Sequence, residues 1–112
     1  GDDHYSQIRT VSVGPAILGG MAEGFLYEDG GDTVAMVWGQ AQLFGLGDAM
    51  CNVTIAHGGD DYPTMSEIWG TWLYFDAELV LEHDPSDPMS FAVECELAGE
   101  TYSFTGPVFV YW

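Results

Sequence analysis

The sequence predicts an all-β fold, an antiparallel β-sandwich or flattened barrel of about seven to eight short strands. Apolar residues recur with period two, the mark of half-buried strands, and no window carries a helical i, i+3, i+4, i+7 stripe long enough to compete. Turn signals built from Gly, Pro and Asp arrive at short intervals along the whole chain. The length of 112 residues fits one domain, residues 1–112, and is too short for two ordinary ones.

Taken in order, residues 8–13 form a first strand that ends at Gly14-Pro15. A second covers 24–28, between Gly19-Gly20 and the turn Asp29-Gly30-Gly31-Asp32. The third, 33–44, stops at Gly45-Leu46-Gly47-Asp48. In the fourth, 49–56, Cys51, Val53 and Ile55 alternate with Asn52 and Thr54 before the loop Gly58-Gly59-Asp60-Asp61. The clearest alternation lies in 68–82, with Leu73, Phe75, Ala77, Leu79 and Leu81 on one phase and Tyr74, Asp76, Glu78 and Glu82 on the other. After Asp84-Pro85-Ser86-Asp87-Pro88, the strand 90–98 sets Phe91, Val93, Cys95 and Leu97 against Ala92, Glu94 and Glu96. Ala98-Gly99-Glu100-Thr101 then reads as the tight link into a last strand, 101–112. The strands 33–44 and 68–82 exceed the usual length and are expected to bend, or to swap sheets, at Gly39 and near Asp76.

Composition removes several function classes. With 47 % hydrophobic and 14 % aromatic residues, the chain has ample apolar area to bury and is not a disordered one. The longest stretch without a charge, residues 33–47, falls short of the roughly 18–20 apolar residues of a membrane helix. Eighteen acids stand against a single Arg9, for a net charge of −17, so the chain cannot neutralise nucleic-acid phosphates. An ordinary domain of this length would hold roughly a dozen Lys and Arg. Nearly every carboxylate therefore lacks an ionic partner. Such self-repulsion is tolerable in brine, where the Debye length is about 3 Å at 1 M salt, which suggests a halophilic protein. An acidic secreted protein, or one whose charge is offset by bound Ca²⁺, is the alternative. The opening Gly1-Asp2-Asp3-His4 has no basic or apolar leader and reads as a processed mature end. Both ends of the chain are expected to be held, by a sheet position or by a neighbouring subunit.

Cys51 and Cys95 both fall on the apolar phase of their strands, and a disulfide between them is expected to cross from one sheet to the other. That placement is loosely similar to immunoglobulin-like sandwiches. Trp69 stands too far beyond Cys51, however, and Val93 occupies the position where that pattern has Tyr, so no kinship follows and a jelly-roll-like sandwich is equally open. Asn52-Val53-Thr54 is a glycosylation sequon on the polar phase, of consequence only in an exported chain. Glu28, Asp29 and Asp32 in one loop, and Asp60 and Asp61 in another, supply carboxylates of the kind Ca²⁺ takes, although neither loop follows the EF-hand spacing. His4, His57 and His83 are widely separated, without ligand spacing, and read as surface residues beside loop acids. No nucleophile elbow, phosphate loop or cofactor fingerprint occurs, so no residue is assigned to catalysis and no organic cofactor is expected.

The aromatic residues point furthest. Trp38, Trp72, Tyr74, Phe109 and Tyr111 sit on the phase opposite the expected core. The last strand is apolar on both phases: Val108, Val110 and Trp112 on one, Pro107, Phe109 and Tyr111 on the other. Two-sided apolar character in a small antiparallel protein implies that something covers the outer face. A terminal Trp also closes many outer-membrane barrels, but the acidic phases at Asp76, Glu78, Glu94 and Glu96 speak against lipid contact. The expected function is a non-enzymatic structural subunit of an extracellular assembly: a virion surface or decoration protein, a filament unit or a surface-layer unit. Its partners would be further protein subunits, of the same or another kind. The alternative is a secreted carbohydrate-binding module with a solvent-open aromatic row beside carboxylates.

Overall fold

Leu73, Phe75, Leu79 and Leu81 are buried, while Tyr74, Asp76, Glu78 and Val80 between them are exposed, so the period-two pattern is a strand pattern in fact. The computed structural model describes residues 14–111, and the expected strand 8–13 and Trp112 lie outside them. The described chain is all-β: β1 (Ala16–Asp29), β2 (Asp32–Phe44), β3 (Met50–His57), β4 (Asp60–Pro63), β5 (Met65–Trp69), β6 (Trp72–Leu81), β7 (Met89–Leu97) and β8 (Glu100–Tyr111).

Hydrogen bonding joins the strands in the order β4-β3-β7-β8-β1-β2-β6-β5. The strand that joins the two halves is β8. Its residues Glu100 to Pro107 pair antiparallel with β7, and from Val108 to Tyr111 it pairs with β1 instead. The β8–β1 pair is parallel, so the sheet is mixed and the expectation of a purely antiparallel fold is corrected. The two edge strands, β4 and β5, are consecutive in the chain and meet at Thr64, whose hydroxyl donates to the Val53 carbonyl at 2.8 Å. One eight-stranded sheet is thereby brought nearly to closure, a flattened barrel rather than a two-sheet sandwich of the immunoglobulin or jelly-roll kind.

Three further expectations change. The switch of partners falls at Pro107, whereas Gly39 and Asp76 are each paired on both sides within the sheet. Gly39 answers a packing need instead: a Cβ there would run into the Phe75 ring. The run 68–82 is a hairpin, β5–β6, reversing at Gly70 (φ +63°), which the apolar residues on both sides of the turn conceal. Gly19 and Gly20 lie inside β1, with a pairing irregularity between Ile17 and Gly19, so β1 is far longer than 24–28. Two-residue turns with positive φ at both positions close three hairpins: Gly30-Gly31, Gly58-Gly59 and Ala98-Gly99, the geometry that matches strand twist.

At the centre of the core, Phe91 of β7 lies between Phe75 of β6 and Phe104 of β8, at 5.4 and 6.0 Å. The disulfide Cys51–Cys95 is present, but it does not cross between sheets. The two residues stand directly opposite each other on the neighbouring strands β3 and β7, with Cα atoms 4.0 Å apart. Shared apolar phase fits a bridge between sheets, but the pairing of β3 with β7 makes it a cross-strand bridge within one sheet.

Candidate interaction face

Register on β8, β1, β2, β6 and β5 arranges the outward side chains in rows across the strands. Phe109 stands beside Glu23, Glu23 beside Trp38, Trp38 beside Asp76 and Asp76 beside Met65. A second row joins Tyr111, Phe25, Met36 and Glu78. A third joins Met21, Gln40, Tyr74 and Glu67. Between the first and third rows runs a groove of about 860 Å³, floored by Ala22, Gly39 and Phe75 and crossing the strands rather than following them.

These outward side chains are solvent-open. Phe109 and Tyr111 are each 56 % exposed, Trp38 is 41 % exposed, and Tyr74, Phe25, Met21 and Met65 are exposed too. Val108 on the opposite phase of β8 is buried, so Pro107, Phe109 and Tyr111 point outward as the alternation requires. Trp72 is half-buried at the end of the face, where it pairs with the exposed Trp69. The fold thus brings Phe109, Tyr111, Trp38 and Tyr74 onto one surface, with Trp72 at its margin.

Glu23 sits half-buried at the middle of this surface. Trp38 Nε1 donates to its Oε1 at 3.2 Å, and the Tyr111 hydroxyl approaches Oε2 at 3.5 Å. Phe25 meets the Trp38 ring edge-on at 5.9 Å, a favoured aromatic geometry. Tyr27 lies beside Phe25, and its phenol is pushed above the ordinary range, first by desolvation and then by the carboxylates of Glu78 and Asp29. Residues 14–111 contain no Lys or Arg, so no cation among them answers Glu23, Glu67, Asp76 or Glu78.

The outer face of the other half is different in kind. There Asn52 stands beside Glu94, and Glu94 beside Ser103; Thr54 stands beside Ala92, and Ala92 beside Thr105. It is a short-chained, polar surface suited to water, apart from exposed Met50 at its end. Asn52 is exposed on it, as a glycan acceptor must be.

The two acidic loops are tight hairpin turns. Asp29 and Asp32 flank Gly30-Gly31 as a cross-strand pair, and Glu28 Oε1 accepts from the Thr33 hydroxyl at 3.3 Å. Asp60 and Asp61 belong to β4, and Asp60 Oδ2 meets His83 Nε2 at 2.7 Å. Among the described residues, no group of three or more His, Cys, Asp or Glu is placed to hold a metal ion. His57 is a correction: it is buried, not a surface residue. Its Nε2 donates to the Asp84 carbonyl at 3.1 Å, its Nδ1 has no partner among the described residues, and its ring lies 6.1 Å from that of His83. Asp84 itself is held below the usual carboxylate range by the Ser86 backbone N–H and hydroxyl, which both donate to it.

Sequence reasoning missed Glu23, Met21 and Phe25 as members of the face. The signal was available: Met21, Glu23, Phe25 and Tyr27 alternate with Ala22, Gly24 and Leu26, but Gly19-Gly20 reads as a turn and hides the start of β1. No known family model matches the chain, and no curated protein matches its sequence.

Proposed function

We propose that the chain is a non-enzymatic structural subunit of an extracellular assembly, a virion surface or decoration protein, a filament unit or a surface-layer unit, and that it meets its neighbour through the outer face of β8, β1, β2, β6 and β5. The observation that carries this reading is the contrast between the two outer faces of one small molecule. One is Asn, Thr, Ser and Glu; the other exposes Phe109, Tyr111, Phe25, Trp38, Tyr74, Met21 and Met65, set among the carboxylates of Glu23, Asp76, Glu78 and Glu67. Exposed aromatic side chains gathered on one face in this way favour an interaction site, and aromatic side chains dominate the energetics of such sites. The disulfide agrees with an oxidising, extracellular setting. Acidic surfaces elsewhere would keep the assembly soluble, in brine above all. Solution mass by light scattering over a range of protein concentrations tests the reading: multimers are expected, and their mass should fall on dilution.

The groove favours one other reading. Trp38 and Tyr74 flank it, with Gln40, Glu23 and Asp76 beside them, and aromatic platforms with adjacent hydrogen-bonding groups suit a sugar chain laid across the strands. A carbohydrate-binding module would be monomeric, and soluble oligosaccharides would quench or enhance Trp38 fluorescence saturably.

A further inference from the structure

Resting on the assembly reading, the geometry points to a specific occupant of the face: the N-terminal segment of a neighbouring copy, with its Arg9 laid on Trp38 between Glu23 and Asp76. Two copies cannot meet face to face at low cost. That would oppose Glu23, Glu67, Asp76 and Glu78 of one copy to the same residues of the other, with no cation between them. The face needs a partner that is apolar or hydroxylic and carries positive charge. Within this chain, one stretch meets that description. Residues 4–22 contain no Asp or Glu, and they include Arg9, the single Lys or Arg among 112 residues. Ahead of β1 that stretch reads His4-Tyr5-Ser6-Gln7-Ile8-Arg9-Thr10-Val11-Ser12-Val13.

The receiving geometry suits a guanidinium. Neighbouring strands lie about 4.8 Å apart, so Glu23 and Asp76 bracket Trp38 at one strand spacing on either side. A planar guanidinium can stack on an indole while it donates to a carboxylate at the ring's edge, a combination that a Lys ammonium reproduces poorly. Glu23 is already fixed in place by the Trp38 indole N–H. An arm of one copy on the face of the next is a heterologous contact. Repeated, it builds a ring or an open filament rather than a closed dimer.

Complementation between two full-length variants tests this. Arg9→Gln keeps the face and loses the cation; Glu23→Gln/Asp76→Asn keeps the cation and loses the carboxylates. Each alone should remain folded by circular dichroism and should raise the dissociation constant measured by sedimentation by about tenfold or more. Mixed in equal amounts, they should form one-to-one dimers and no larger species, because only one arm-to-face contact is intact per pair. Arg9→Lys should recover part of the affinity. If Arg9→Gln assembles like the wild type, the arm is not the occupant, and the assembly reading survives on its own test. If Arg9→Gln shifts the Trp38 fluorescence of a protein that is monomeric before and after, the arm covers its own copy's face and the neighbour is excluded. A wild type that never associates removes the assembly reading together with this inference.

Discussion

Ala98 holds φ +54° in the β7–β8 turn, in the left-handed region where a Cβ crowds the following carbonyl and costs about 1–2 kcal/mol. Asn tolerates that region far better, and Asn-Gly is the favoured pair for this turn. Ala98→Asn should therefore raise stability by about 0.5–1 kcal/mol, read as a higher urea midpoint at unchanged slope; an unchanged or lower midpoint would contradict the turn geometry. Glu23 shows the opposite relation between residue and fold. Nothing in the core needs it, yet it is half-buried among aromatic rings and held by Trp38.

The elements explain what could be read from sequence and what could not. Strands with one large apolar phase were legible: Leu73 to Leu81 and Phe91 to Cys95 occupy the buried positions that their alternation demands. The last strand is apolar on both phases, and the burial of Val108 is what turns Phe109 and Tyr111 outward on β8. What escaped were features decided by partners distant in sequence. The short strand β4 exists because Asp60 to Pro63 pair with β3, which lets two aspartates of a turn-like sequence enter a sheet. The change of partner at Pro107 depends on where β7 ends and where β1 lies, and no local residue announces a parallel pair. Likewise His57, the last residue of β3, is buried and bonded to the Asp84 carbonyl, 27 positions away. The disulfide staples β3 to β7 and closes a loop of 44 residues, worth roughly 4 kcal/mol in the chain-entropy model. Intact mass under denaturing, non-reducing conditions should show two hydrogens fewer than the reduced chain and no reactive thiol. Stoichiometric labelling of Cys51 and Cys95 would contradict the bridge and weaken the case for an extracellular setting.

For the whole molecule, electrostatics and surface pattern act in opposite directions. A net charge of −17 drives copies apart, while the proposed assembly would draw them together through one broad aromatic face. Screening should favour both folding and association. The melting temperature should climb steeply between low and molar NaCl, because at about 1 M salt carboxylates beyond roughly 3 Å scarcely interact. A melting temperature flat over that range would contradict the halophilic reading, and a rise specific to CaCl₂ at matched ionic strength would assign the charge balance to the acidic turns. The central claim, that the outer face of β8 and its neighbours is where this subunit meets the next, is tested most directly by the solution mass of Phe109→Ser/Tyr111→Ser beside the wild type. Both side chains point away from the core, since Val108 and Val110 take the inner phase. The double variant is expected to keep its β-type circular dichroism and melting temperature while its multimers dissociate to the 12.2 kDa monomer. A folded double variant that assembles as fully as the wild type would contradict the claim.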